Sequence, residues 1–472
     1  MFMREERGNL MMKRLLTILA ASIALTAVLC GSASASSFDS AAKELAAIGM
    51  LKGSAGDLAL DKAPTRTQAA IMLVRLFGAE KEAIDAYAAG TLTCPFTDVN
   101  ETAAPFAAWL ADKGLASGTS ANTFSASSPC TARAYTIFLL RALGYRDGED
   151  FTAADAQEFA MTLGLLDTSA FTGKFLRDDM AALTYQALGT DLKDGGTYLL
   201  DSLIQSGAID AGAAKPIVEK IEAYRAMQAS GAELASGVDA GVTASMVASV
   251  QVSGQNDGDA FDMSQSQTGT VSGSAKILPG GTPQMAFDLD VNANGESRKV
   301  ELWMKEGVLY VRSGEEAYQM PAEEGAKDIS AILANQAGNR SGAALLPFLD
   351  GVAVRTSRSG VTTYTAKLNS AFTGLMGGVL DAAFRELPDE LEMDAKLSLR
   401  DSAITYTLNK DGSLRRAGLA LTVKADMNAG AGDYGSMKIS VTMTMDMDME
   451  IKAAGENVKI SFPDFSGFER AA

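Results

Sequence analysis

Thr65-Arg66-Thr67-Gln68-Ala69-Ala70-Ile71-Met72-Leu73-Val74-Arg75-Leu76-Phe77-Gly78 reads as a helix with both ends marked. Thr65 followed three residues later by Gln68 is a capping box, in which each side chain satisfies an orphan backbone donor. Ile71, Val74 and Phe77, with Leu73 and Leu76 beside them, make an apolar stripe at helical spacing. Gly78 supplies the left-handed residue that commonly closes a helix. Arg66 stands in a poor place, because a cation in the first turn faces the positive end of the macrodipole. Its position points to a role other than helix stability.

The same frame returns twice. Thr131-Ala132-Arg133-Ala134 opens a run through Phe138, Leu139, Leu140 and Leu143 to Gly144. Leu176-Arg177-Asp178-Asp179 opens another through Met180, Leu183, Tyr185 and Leu188 to Gly189. Ala132 and Arg177 hold the position of Arg66, each twelve residues before its closing glycine. Arg133 comes one residue later, which turns it about 100° around the helix. Ahead of each helix lies a short helical run ending in a glycine turn, then a polar loop. The turns are Gly49-Met50-Leu51-Lys52-Gly53, Gly114-Leu115-Ala116-Ser117-Gly118 and Gly164-Leu165-Leu166-Asp167. Such internal repetition sets the architecture of the first half.

The second copy also opens with Phe96-Thr97-Asp98-Val99 and carries Trp109 on its first helix. With these parts the first half resembles the S-layer homology family, three modules in tandem at about 37–80, 94–146 and 149–191. The openings of the first and third copies depart from the family pattern and keep only Phe38-Asp39 and Asp150-Phe151. The resemblance implies a three-pronged all-helical assembly that docks without a covalent bond on secondary cell-wall polysaccharide. It places polysaccharide-binding residues at Thr65, Arg66, Gln68, Gly53, Asp98, Trp109, Gly118 and Arg177, with Arg133 a poor substitute in the second copy. Carboxylates of such a polymer, often pyruvyl ketals, suit an arginine beside the free N–H groups of a helix start. The alternative is that the arginines pair with neighbouring acids such as Asp61 or Asp179.

The chain has 472 residues, enough for two or three domains, with 47% hydrophobic and 21% charged residues and a net charge of −17. That charge disfavours nucleic acid as a partner. There is no histidine, which removes Ser-His-Asp and Cys-His catalysis and His-containing zinc sites. No cofactor and no metal site is expected, and no enzyme motif is present. Ser40-x-x-Lys43 has the spacing of a Ser-Lys nucleophile without companion motifs.

Lys13 and Arg14 precede an apolar run from Leu15 to Leu29, and Ala33-Ser34-Ala35 is a small-x-small site before Ser36. Residues 1–35 read as an export signal, and the protein as secreted to the cell wall or cell surface of a Gram-positive envelope. Lipidation at Cys30 is the alternative. Cys94 and Cys130 then remain, as a possible disulfide of an exported protein or as two free thiols.

Residues 192–240 read as a helical link. From 241 to 472 the period changes from 3.6 to 2. Val242 to Val252, Met285 to Val291, Val300 to Met304, Met393 to Leu399 and Leu419 to Val423 all alternate. The longest run is Met437, Ile439, Val441, Met443, Met445, Met447, Met449 and Ile451. These are strands with one wet face. Helical stretches interrupt them near 325–349 and 369–386.

With Trp303, Tyr310 and the closing Val458-Lys459-Ile460-Ser461-Phe462-Pro463, this half resembles the half-barrel lipoprotein-carrier superfamily. That resemblance implies an antiparallel sheet wrapped around the inserted helices, holding a lipid or other apolar ligand. The methionine run fits core packing, an adaptable apolar pocket or, least well, a Cu(I) site. Asp257-Gly258-Asp259 reads as a solvated turn. The fold class expected is α+β and multidomain. The functions that follow are wall docking with apolar-ligand binding, a structural surface-layer component, or, with least support, a carboxylate-based hydrolase.

Overall fold

The computed structural model describes residues 38–53, 56–116, 118–165, 174–231, 237–254, 261–277, 283–293, 296–321, 345–369, 371–372, 393–430, 436–455 and 458–470. The export signal with Cys30, the Asp257-Gly258-Asp259 turn and the loop 166–173 lie outside them, as does most of the two expected helices in the second half. The chain divides into two compact units, one helical (Ser32–Arg225 with Ser341–Gly351) and one strand-rich (Ala226–Arg340 with Val352–Ala472).

In the helical unit the described helices are α1 (Asp39–Ala47), α2 (Arg66–Leu76), α3 (Glu80–Ala88), α4 (Ala104–Asp112), α5 (Ala132–Ala142), α6 (Ala156–Thr162), α7 (Arg177–Leu188) and α8 (Leu199–Gln205). α9 (Ala211–Gly231) begins in this unit. The helices α2, α5 and α7 begin at Arg66, Ala132 and Arg177, the three positions that share the frame. The capping box of α2 is formed in both directions: Gln68 N–H donates to Thr65 Oγ1 at 3.2 Å and Thr65 N–H donates to Gln68 Oε1 at 2.9 Å. Gly78 is left-handed at φ 68°.

The buried face of α2 is Ala69, Ala70, Met72, Leu73, Val74 and Leu76, while Ile71 and Phe77 are only half-buried. The face is therefore centred one residue beyond the stripe read from Ile71. The two alanines admit neighbouring helices closely, and a stripe read from large residues alone leaves them out.

α7 is buried at every residue but Asp179, Thr184 and Gln186 included. Around it sits a polar cluster: Lys220 Nζ donates to Glu44 Oε1 at 2.6 Å and to Leu349 O at 3.1 Å, and the Tyr185 hydroxyl donates to Glu44 Oε2. Phe348, in a 3₁₀ turn over Leu346–Phe348, meets Phe38 edge-on at 5.3 Å. Residues 345–349 are thus a 3₁₀ turn leading into a strand, not the end of a helix, because Pro347 stops helical hydrogen bonding. Ile217, Ile221 and Tyr224 of α9 are also buried here. The segment 192–240 is accordingly not a mere link: its first two-thirds pack into the helical unit, and a strand begins at Gly237.

The strand-rich unit is one 12-stranded sheet in the order β12-β6-β5-β4-β3-β2-β1-β11-β10-β9-β8-β7. The strands are β1 (Gly237–Gly254), β2 (Phe261–Ile277), β3 (Pro283–Ala293), β4 (Glu296–Lys305), β5 (Val308–Ser313), β6 (Glu316–Pro321), β7 (Leu349–Thr356), β8 (Thr362–Leu368), β9 (Met393–Leu408), β10 (Leu414–Gly430), β11 (Ser436–Ala454) and β12 (Glu469–Arg470). Two meanders meet at the β1–β11 pair, and β12 alone is seen to pair in parallel, with β6.

The register makes the sheet two-faced. Across it run Val300, Leu289, Val271, Val242, Met449, Ala417 and Tyr406, each opposite the next. One residue away, Lys299, Asp290, Thr270, Thr243, Asp448, Gly418 and Thr405 form a polar row on the other face. β2 carries few apolar side chains, so alternation alone leaves it unread.

The closing run Val458–Pro463 forms no strand. Its tail lies on the polar face at β4 and β5, where Phe465 stacks on Tyr310 at 3.7 Å and Phe468 meets Trp303 edge-on at 5.9 Å. Trp303 and Tyr310 are opposite each other in register. They seat the tail.

Candidate functional site

The helix starts of the repeats are where a polysaccharide was expected. α2 and α7 show the same construction. The N–H of Arg66 donates to Ser128 O at 2.8 Å and that of Thr67 to Ala126 O at 3.2 Å. The N–H of Arg177 donates to Lys62 O at 2.8 Å and that of Asp178 to Leu60 O at 3.1 Å. Ser128 and Ala126 precede α5 by the same steps by which Lys62 and Leu60 precede α2. The loop of the second repeat thus seals the helix start of the first, and the loop of the first seals that of the third.

The orphan donors of a helix start are what attracts anions. At α2 and α7 the first of them already serve carbonyls of a neighbouring repeat. The arginines follow the same pattern. Arg177 is 5% exposed; its Nε donates to Leu58 O at 2.8 Å and its Nη2 to Lys52 O at 3.2 Å. The Arg66 guanidinium lies over the Phe124 ring at 4.9 Å, and Phe124 holds in the second loop the place Leu58 holds in the first. The buried Arg177 guanidinium is thus engaged by two backbone carbonyls of the first repeat's loop. Neither arginine reaches the acids weighed against it. Asp61 pairs with Lys62, and Asp179 accepts the Leu176 N–H at 2.8 Å. Leu176 has no acceptor of its own, so α7 makes only that half of a cap.

The other expected contacts are also structural. Asp98 accepts the N–H groups of Phe124 at 2.7 Å and Ala126 at 3.1 Å, which pins the loop that seals α2. These backbone donors, Phe124 first, hold its carboxyl below the usual aspartate range. Trp109 is buried, donates Nε1–H to Glu82 Oε1 at 3.0 Å and meets Phe77 at 5.8 Å. Gly53 and Gly118 sit in tight loops, where an added Cβ meets Asp57 O at 2.2 Å and Ser120 O at 2.4 Å. Gln68 closes the capping box. Arg133 is exposed at the α5 start, with its Nε 3.4 Å from Gln157 Oε1.

Cys94 and Cys130 are free thiols, not a disulfide. Each Sγ faces a nearby carbonyl, Phe96 O at 3.7 Å and Thr131 O at 3.6 Å respectively. Burial pushes the Cys130 thiol up to about 11. Ser40 Oγ donates to Asp350 Oδ1 at 2.6 Å and Lys43 pairs with Asp39, so the two form no nucleophile pair. Among the described residues no cluster of three or more Cys, Asp or Glu side chains could hold a metal ion, and no helix is long and apolar enough to cross a membrane.

The second candidate is the apolar face of the sheet. On β3, β4 and β5 it is closed, with Met285, Leu289, Val300, Leu302, Met304, Leu309 and Val311 all buried in one cluster. On β8 to β10 it is closed again by Ala366, Ile404, Leu419 and Leu421. Between these flanks Val242, Met445, Met447 and Met449 are only half-buried. In register Met445 is paired with Leu421 and Met246, Met447 with Leu419 and Ala244, and Met449 with Ala417 and Val242. A strip of flexible thioethers on a continuous apolar floor is an adaptable surface for alkyl chains.

No family model matches the chain, and no curated protein matches it. Among solved structures it is similar to LprF from Mycobacterium bovis, at 15% identity over 51% of this chain and 97% of that one, with a TM-score of 0.26. The ywiB protein from Bacillus subtilis follows at 9% identity over 45% and 94%, TM-score 0.10. The outer membrane protein OprG from Pseudomonas aeruginosa stands at 10% identity over 46% and 97%, TM-score 0.10. At such TM-scores the likenesses carry no argument about this chain.

Proposed function

We propose that the strand-rich unit holds an apolar ligand of the acyl-chain type against its methionine strip. The observation that supports this is the half-burial of Val242, Met445, Met447 and Met449 on a floor whose two flanks are closed. An ordinary core buries such side chains fully, at about 1.5–3 kcal/mol each relative to exposure. Nile red titrated into the full chain tests it. The expected result is enhanced emission that a long-chain fatty acid reverses; an unchanged spectrum counts against the reading.

A second task is proposed for the helical unit: docking on an anionic cell-wall polysaccharide, with the protein exported to the envelope. Its support is the repeated frame and the like construction of two of its joints, each of which fixes one loop against one helix start. The docking groups proposed are exposed side chains, with Arg133 at the α5 start first, rather than the backbone donors of the α2 and α7 starts. Co-sedimentation of the full chain with purified walls, before and after mild acid removal of pyruvyl groups, is the test. No sedimentation with either preparation rejects the docking.

A further inference from the structure

At the far edge of the sheet, β7 and β8 are joined by the turn Ser357-Arg358-Ser359-Gly360-Val361. The turn is tightly made: Ser357 N–H donates to Val361 O at 2.9 Å, Gly360 N–H to Ser357 O at 3.0 Å and Val361 N–H to Ser357 Oγ at 3.1 Å. Gly360 is left-handed, at φ 85°, and a Cβ there meets the Lys410 side chain at 3.0 Å. The absent side chain lets the β7–β8 tip lie against the stem of Lys410. Lys410 belongs to the next turn, between β9 and β10, closed by Asn409 N–H on Ser413 O at 2.9 Å.

Two hairpin ends therefore meet, and between them lies an open hollow lined by Arg355, Thr356, Ser357, Ser359, Val361, Thr363 and Arg415. Its lining is two guanidiniums, four hydroxyl residues and one apolar side chain. The register explains how Arg415 gets there. The ladder between β9 and β10 is irregular between Leu414 and Arg416, which takes Arg415 out of regular pairing. Arg416, back in the ladder, is committed elsewhere: its Nε donates to Asp448 Oδ1 at 2.5 Å and its Nη2 to Asp448 Oδ2.

The charges here run against those of the whole chain. The net charge is −17, yet from Gly351 to Asn369 there is no acid, and two arginines and one lysine. Arg355, Arg358, Lys410 and Arg415 form no ion pair with a carboxylate among the described residues. The acid of the adjoining turn, Asp411, is engaged by Ser413, whose N–H donates at 3.0 Å and whose Oγ donates at 2.6 Å. Four unpaired cations held together repel one another, and an anion placed among them removes that cost.

We propose that the hollow between the β7–β8 and β9–β10 turns is a binding site for a phosphate-type oxyanion. Arg355 and Arg415 supply paired N–H donors; the Ser357 and Ser359 hydroxyls, hydrogen-bonded to each other at 2.8 Å, leave one proton to donate, and Thr363 shares its hydroxyl with Thr407 at 3.2 Å. A tetrahedral oxyanion, with oxygens pointing in several directions, uses such a divergent set better than a planar carboxylate does. The site lies on the polar face, so it is distinct from the methionine strip. The phosphate reaches it either free or on a small ester, or as the headgroup of an anionic lipid.

The experiment uses the full chain. Inorganic phosphate is titrated in while the arginine side-chain N–H resonances are followed, for the native chain, for Arg355→Gln with Arg415→Gln, and for Lys299→Gln as a remote control. All three positions are exposed, and an unchanged near-ultraviolet circular dichroism spectrum checks the fold. Saturable binding that weakens about tenfold or more in the double variant, and not in the control, is the expected result. No saturable binding, or equal binding by the double variant, overturns the site. Flotation with phosphatidylglycerol vesicles then names the source. Flotation that phosphate suppresses and the double variant lacks assigns a lipid headgroup, and phosphate binding without flotation assigns a soluble ester.

Discussion

Arg177 Nε lies 2.8 Å from the carbonyl oxygen of Leu58, across a separation of 119 residues in sequence. Arg66, at the corresponding helix start, instead lays its guanidinium over Phe124, the counterpart of Leu58. One frame position thus performs one task, joining a repeat to its neighbour's loop, by two kinds of contact.

The two contacts differ in strength, and this gives the first prediction. Arg177→Ala removes two charge-assisted hydrogen bonds and leaves the Leu58 and Lys52 carbonyls without them, a loss of about 2–4 kcal/mol. Of the contacts that Arg66→Ala removes, the half-exposed cation–π contact with Phe124 is worth about 0.5–1 kcal/mol. Calorimetric melting of the helical unit should fall several degrees for the first and little for the second. Equal shifts would mean that the Arg177 contacts are not what holds the joint.

Two aspartates give opposite pH responses. Burial pushes the Asp178 carboxyl up to about 6, against the Phe38 N–H that donates to it at 2.8 Å. From the ordinary value of 3.8 to about 6 the folded chain keeps a proton that the unfolded chain has lost, so this residue's contribution falls as pH rises through that window. Asp98, held low by the Phe124 and Ala126 N–H groups, contributes above 3.8 and loses that contribution as pH falls through its folded value. Urea midpoints of Asp178→Asn should lose the native chain's decline between about pH 4 and 6. Those of Asp98→Asn should lose the decline at lower pH. A variant that keeps its decline shows the wrong residue was charged with it.

The cysteines are predicted to stay reduced in the folded protein. A Cys30→Ser chain should show two thiols, with Cys94 labelled first and Cys130 only on unfolding, since its buried thiol holds its proton at neutral pH. A count of zero thiols in the native protein is the contrary result.

Met447→Lys places a charge on the methionine strip, opposite Leu419 of the closed flank. Its residue is half-buried, so the fold should survive, while Nile red emission falls at least several-fold. Retained emission would move the apolar site elsewhere.

How far these features could be read from the residues depends on whether their causes are local. The starts of α2, α5 and α7 were legible at Arg66, Ala132 and Arg177, because capping and helical spacing are local. The long strands were legible through their period of 2. β2 was not, because its side chains are mostly small and polar and it is held by pairing on both edges. The task of Arg66 and Arg177 was half legible. Their odd position in the first turn was visible, but the partner was inferred to be an anion, when the groups they meet come from a loop of another repeat. Only the long-range packing of Lys52, Leu58 and Phe124 reveals that. Asp98 and Trp109 are visible as motif positions, but the groups that meet them here, the Phe124 and Ala126 N–H groups and the Glu82 carboxylate, come from distant sequence. The hollow at Arg355 and Arg415 left no sequence signal, since it depends on two turns meeting at Gly360.

The central claim, an acyl-chain ligand on the methionine strip, is tested most directly by mass spectrometry of an organic extract of the protein purified from its producing cells. The account predicts a co-purifying acyl lipid with the native chain and its loss with Met447→Lys. An extract of correctly folded native protein that contains no lipid would contradict it.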